Sequence, residues 1–158
     1  MKILVAFFSV SGITKEIAQN IASITAADIF EISPQEPYSR ADLDWSDENS
    51  RTSLEAKDKN SRPKIAQSID ISSYEVIFIG FPIWWYTAPH IIYTFLESYD
   101  FTDKTIVLFC TSGGSDLSNA YRDMEKIVPD AIFKYGKCFH FGESRASIRK
   151  WLESLNLK

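Results

Sequence analysis

The sequence predicts one α/β domain, a three-layer sandwich whose five-stranded parallel sheet runs in the order 2-1-3-4-5. Three observations carry the fold class, and the strand order is the expectation set on it. Apolar, β-prone runs alternate with stretches of helical periodicity, the pattern of βαβ units. The runs are almost continuously apolar, as expected of strands covered on both faces. A chain of 158 residues is long enough to bury roughly 68–70% of its unfolded surface in a single core, and no repeat or low-complexity tract argues for a second domain.

The first strand is Lys2 to Phe8. From Gly12 the period changes, and Ile13, Ile17, Ala18, Ile21 and Ala22 fall on one helical face between Lys15, Glu16, Gln19 and Asn20. Ala27 to Ile32 reads as a second, shorter strand. Ser33 to Asp70 is crowded with charge and has few apolar anchors: Leu43, Trp45, Leu54 and Ala56. A parallel crossover needs a covering element, so a helix is expected between Ala41 and Lys59. Glu75 to Phe81 is the third strand and Lys104 to Cys110 the fourth. Ala131 to Phe141 is the fifth, with Gly136 marking a bulge. Helical stripes separate them. Pro89 suits a first turn ahead of Ile91, Ile92, Phe95, Leu96 and Tyr99. Leu117, Ala120, Tyr121, Met124 and Ile127 form the next stripe, and Ile148, Trp151, Leu152 and Leu155 the last.

Composition narrows the function. With 45% hydrophobic and 24% charged residues, the chain has the balance of a soluble globule. A net charge of −4 argues against nucleic-acid binding, which calls for a basic face. The apolar run Val76 to Tyr86 is broken by Gly80 and Pro82, too short for a bilayer that needs about 20 residues, so no membrane association is expected. Met1 leads almost directly into a strand, and the cytoplasm is the expected location. Cys110 and Cys138 match no metal spacing and read as buried small hydrophobes. His90 and His140 lie far apart without evident triad partners, and His140 reads as structural.

In an open parallel sheet, ligands bind beyond the carboxyl ends of the strands, where strand order reverses. Three loops of unusual composition leave such ends. Ser9-Val10-Ser11-Gly12-Ile13-Thr14 offers three hydroxyls and a glycine ahead of a helix whose N-terminus carries about half a positive charge. The same residues would also serve a helix capped by Ser11 after a tight turn at Gly12. The Gly-Lys-Ser/Thr ending of a P-loop is absent. Pro82-Ile83-Trp84-Trp85-Tyr86 sets three large aromatics where a strand has ended, suited to stacking on a planar ring, or to a hydrophobic plug or partner patch. Thr111-Ser112-Gly113-Gly114 supplies N–H and hydroxyl groups for the polar edge of a ring, or is a turn before a helix capped by Ser115. Strands one, three and four neighbour one another in the expected order, so the loops converge on one crevice.

The stretches KILVAFFSVSGITKEIAQNIA, VIFIGFPIWWYTAPHIIYTFLESYDF and KTIVLFCTSGGS, with ADIFEISPQEPYS and the closing WLESL, make the chain resemble the flavodoxin family, in particular its short bacterial members. The resemblance implies flavin mononucleotide (FMN) as cofactor. Ser9, Ser11, Gly12, Ile13 and Thr14 would cradle the phosphate. Pro82, Ile83, Trp84, Trp85 and Tyr86 would flank the ring, and Thr111, Ser112, Gly113 and Gly114 would hold it from the other side. Ile13 stands where many relatives have Asn, which removes a side-chain hydrogen bond and keeps the backbone N–H. The implied function is electron transfer with redox partner proteins or small redox substrates. The alternative is an FMN-dependent NAD(P)H oxidoreductase acting on quinones or similar acceptors, with Tyr86, His90 and Ser33 to Arg62 shaping its pocket. The aromatic loop has no glycine between Pro82 and Thr87, so a peptide flip serving one-electron chemistry is disfavoured. No catalytic residue, metal site or oligomeric state is read from the sequence.

Overall fold

The computed structural model describes residues 1–112, 116–140 and 142–157. Its elements run β1 (Ile3–Phe7), α1 (Ile13–Thr25), β2 (Asp28–Glu31), α2 (Arg51–Lys57), β3 (Val76–Pro82), α3 (His90–Glu97), β4 (Thr105–Thr111), α4 (Ser118–Ile127), β5 (Ile132–Phe139) and α5 (Arg145–Ser154). The strands form one parallel sheet, as the alternation predicts, in the expected order β2-β1-β3-β4-β5. All strand carboxyl ends therefore lie on one rim, and the chain crosses between the two directions of winding at β1 and β3.

Side-chain alternation divides the core. Leu4, Ala6, Ile77, Ile79, Ile106 and Leu108 point to the layer of α3 and α4, where Ile91, Phe95, Ala120 and Met124 cover them. Val5, Phe7, Phe78, Val107 and Phe109 point to α1 and α5, meeting Ile17, Ile21, Ile148 and Trp151. Both faces are buried, which is why these strands lack a polar alternate position. No helix among the described residues is long and apolar enough to cross a membrane.

Gly136 lies in the expected bulge: two steps on β4, Val107 to Phe109, are matched by three on β5, Lys134 to Lys137. The cysteines correct the sequence reading. Cys110 and Cys138 are register partners on β4 and β5, with Cα atoms 4.6 Å apart, and form a disulfide on the α3/α4 face. Their separation in sequence hides this, because two positions become neighbours only when strand pairing and the bulge set the register. Phe141, the expected end of the fifth strand, lies outside the described residues.

The expected helix within Ala41 to Lys59 is α2, only seven residues long. The excursion around it leaves and re-enters at one place, where Pro34 bridges Ile65 through Gln35 N–H to Lys64 O (2.8 Å) and Ala66 N–H to Ser33 O (2.8 Å).

Candidate functional site

The chain leaves β1 with Phe8, whose N–H still reaches Gly80 O at 2.9 Å, and turns at Ser9. Gly12 takes φ 91° as N-cap of α1, and no side chain caps the helix. The capping role considered for Ser11 is therefore not taken up at the helix end. Ser11 Oγ accepts only a long bond from Ile13 N–H (3.4 Å), and Ser9 Oγ accepts from Gly12 N–H (3.2 Å). The N–H groups of Thr14 and Lys15 find no acceptor among the described residues. The helix N-terminus therefore keeps free amide donors and no capping side chain, the arrangement to which anions are drawn in other proteins. Lys15 is turned toward Glu31 (3.8 Å) on the surface. Thr14 is buried, and its hydroxyl joins that of Thr111 at 2.8 Å, tying the first loop to the end of β4.

After β3, Ile83 N–H bonds Thr111 O (3.0 Å) and so keeps the second loop against β4. Trp84 and Thr87 then exchange backbone bonds of 2.9 and 3.1 Å around Trp85 at φ 54° and Tyr86 at φ 68°. Two left-handed central residues define a type I′ turn, which normally takes Asn-Gly. An L-residue there costs roughly 1–2 kcal/mol each, so the surroundings must hold the turn. Asn119 donates to Tyr86 O at 3.1 Å. Beneath it, Thr87 and Tyr93 hydroxyls lie 2.8 Å apart and each donates to Asp123 at 3.0 Å. Burial, the largest cause, pushes the Tyr93 phenol well above its usual range.

The turn separates the aromatic trio. Trp84 packs inward, edge-on to Phe8 and to Tyr38, each at 5.4 Å between ring centres, and acts as a plug. Trp85 and Tyr86 face outward, 45% and 73% exposed. Large apolar rings held out of the core by a strained turn are positioned for something other than packing.

The third loop begins with Thr111 and Ser112; Gly113, Gly114 and the proposed cap Ser115 lie outside the described residues. Ser112 N–H bonds Phe139 O (3.2 Å), and His140 Nδ1 lies 2.7 Å from Ser112 O, so that nitrogen carries the proton and donates. His140 thus braces a site loop from just past β5, a role invisible without the pairing of β4 with β5.

A slot of about 490 Å³ opens beside the first and second loops, lined by Val10, Leu43, Trp45, Thr52, Ile83, Trp84, Trp85 and Tyr86. Sequence reasoning placed Leu43 and Trp45 among the anchors of the charged excursion. Trp45 is instead 74% exposed and forms a wall of the slot. An indole in a charged stretch with no periodic apolar partners was the available signal. His90 does not line this slot but an adjoining cavity of about 50 Å³ that shares Thr52, Trp84 and Trp85 with it, with Nδ1 paired to Ser61 Oγ and its ring 5.4 Å from that of Tyr93. Burial first, and the Arg62 charge second, lower its pKa.

The sheet order and the loops gathered on its carboxyl rim define a doubly wound, flavodoxin-like α/β domain. The flavodoxin pattern matches residues 2–155, and the chain belongs to the flavodoxin family. It is 41% identical to a candidate flavoprotein from Bacteroides eggerthii DSM 20697, with a TM-score of 0.92 and 99% of each chain covered. A candidate flavoprotein from Bacteroides uniformis ATCC 8492 is also 41% identical, with a TM-score of 0.92, over 96% of this chain and 97% of that one. A flavoprotein from Lactobacillus acidophilus NCFM, solved in complex with FMN, is 22% identical with a TM-score of 0.70, over 96% of this chain and 98% of the other; at that identity the likeness concerns the fold. No curated protein matches the chain.

Proposed function

We propose that this protein binds FMN across the three loops and works in electron transfer. The observation that carries the reading is the uncapped N-terminus of α1, set on the same rim as an outward-facing indole and phenol. The residues fit the group. A phosphate at Ser9 to Thr14 would complete the free Thr14 and Lys15 amides, with the helix dipole supplying attraction in place of a basic side chain. Gly12 leaves open space, with nothing within 4 Å of a Cβ built there. Ile13 contributes its N–H and packs its side chain against the α1/α5 core.

When bound, FMN supplies the redox chemistry, and the protein binds, orients and tunes it. Trp85 and Tyr86 would flank the ring from the second loop, with Thr111 and Ser112 opposite, and Gly113 and Gly114 completing that side. The Trp85 and Tyr86 rings would shield the face they cover from water and disfavour added negative charge there, which would lower the flavin's potential.

A second reading, an NAD(P)H-dependent oxidoreductase of small acceptors, is favoured by two features. The slot is shaped for a small molecule, and the Trp85-Tyr86 turn resists a peptide flip. Rotating that peptide would move Trp85 to the type II′ position, which is a glycine position. Titration of the purified protein with FMN is expected to give saturable quenching of flavin fluorescence, and absence of binding refutes the proposal. Bleaching of the bound flavin by NADPH, with turnover of an added acceptor, selects the second reading; an unchanged spectrum selects a carrier with a protein partner.

A further inference from the structure

Thr111 is the residue on which the three loops of the rim converge. Its hydroxyl meets that of Thr14 in the first loop at 2.8 Å, and its carbonyl oxygen accepts from Ile83 N–H of the second at 3.0 Å. The third loop begins beside it. There Ser112 is held from the end of β5, its N–H donating to Phe139 O (3.2 Å) and its carbonyl oxygen accepting from His140 Nδ1 (2.7 Å). The disulfide lies one residue below these contacts on both strands, since Cys110 precedes Thr111 and Cys138 precedes Phe139.

β5 is an edge strand, paired on one side only. Of its eight residues only Gly136 and Phe139 are buried, so little packing holds its end. The bulge between Val107 and Phe109 interrupts the ladder just before the disulfide and leaves a short paired segment running to the rim. Such a segment at a sheet edge is where local opening costs least. Cys110 is fully buried and Cys138 half-buried, so an incoming thiolate meets Cys138 first. Two unbonded thiols need more room than a bonded pair, and a close-packed interior has little to give. The edge strand is the part that yields, and Phe139 and His140 loosen their hold on Ser112 with it.

We propose that the Cys110–Cys138 pair is a thiol-responsive clamp on the cofactor rim: the disulfide keeps Thr111 and Ser112 in place for FMN, and opening it to the dithiol weakens FMN binding. The assignment rests on the FMN reading above. The reductant is a dithiol. One of its thiolates attacks Cys138 Sγ, the Cys110–Cys138 bond breaks, and Cys110 leaves as a thiolate that takes up a proton. The second thiolate then breaks the mixed disulfide and frees Cys138, which is protonated in turn. The protein has gained two electrons and two protons, and the reductant has become a cyclic disulfide. Coupling between two equilibria is reciprocal, so FMN holds the pair oxidised by the same factor.

The test uses the intact protein in dithiothreitol buffers, with the thiol state read by alkylation and mass. FMN affinity, from quenching of flavin fluorescence, is expected to fall about tenfold or more on reduction, with far-UV circular dichroism unchanged. Saturating FMN is expected to lower the midpoint potential of the pair by about 30 mV for each tenfold difference in affinity. Cys138→Ser is expected to bind FMN at the weaker affinity in oxidising and reducing buffer alike. Equal affinity in the two states of the unaltered protein overturns the clamp and leaves the FMN reading standing. Unfolding on reduction also overturns it, as does a pair that excess dithiothreitol fails to open in the folded protein. Absence of FMN binding in both states sinks the parent reading and the clamp with it.

Discussion

Tyr86→Gly separates a functional residue from a structural one, because its effects on stability and on binding are expected to part. Tyr86 sits at φ 68°, and removing its Cβ relieves about 1–2 kcal/mol of left-handed strain. Against this, the side chain is 73% exposed, so a quarter of an aromatic surface of roughly 200 Å² leaves the protein. At about 25 cal/mol per Å², that loss is roughly 1.3 kcal/mol. Glycine adds about 0.5–1 kcal/mol through the freedom of the unfolded chain. The sum falls within about 1 kcal/mol of zero, and the guanidinium midpoint should barely move. Loss of a ring contact to FMN, worth about 1–3 kcal/mol for a planar base stacked on an aromatic side chain, should weaken binding roughly 5- to 150-fold. Fluorescence titration with FMN beside chemical unfolding reads both quantities. A variant destabilised by more than about 2 kcal/mol with unchanged FMN affinity would refute the reasoning.

Other perturbations probe other parts of the structure. Gly136→Ala places a methyl group against the Leu108 carbonyl oxygen and the Tyr121 hydroxyl, and should destabilise by about 1–3 kcal/mol in denaturant unfolding; a neutral result would deny the bulge. The intact, unreduced protein should weigh two hydrogens less than its dithiol. Replacing Cys110 and Cys138, 28 residues apart, by Ala should cost about 3.5 kcal/mol by loop entropy, and a dithiol mass would contradict the pairing. Burial and Arg62 depress the folded pKa of His90 below its ordinary value, so between that folded value and about 6.5 the unfolded chain binds more protons. Stability should therefore fall as pH drops below about 6.5. His90→Asn should flatten that dependence in unfolding curves taken between about pH 7 and 5, and an unchanged slope would assign it elsewhere.

Read alone, the sequence determined the layers. Uninterrupted apolar runs such as Lys2 to Phe8 and Glu75 to Phe81 admit only a sheet covered on both sides, and stripes such as Ile91 to Tyr99 supply the cover. Because parallel strands put all their carboxyl ends on one rim, the three site loops were also legible as loops. What the side chains do there was decided by tertiary structure. Trp84 and Trp85 are adjacent in sequence, yet one plugs the core and the other faces outward, since a type I′ turn held by Asn119 and Asp123 divides them. Cys110 meets Cys138, and His140 reaches Ser112, only through the register of β4 with β5. Trp45 could not be placed at all from local pattern. Its position follows from Arg51, Asp42 and Tyr38 folding a charged excursion back over the rim. Periodicity reports which way a segment faces, whereas contacts between distant segments depend on packing that no single segment encodes.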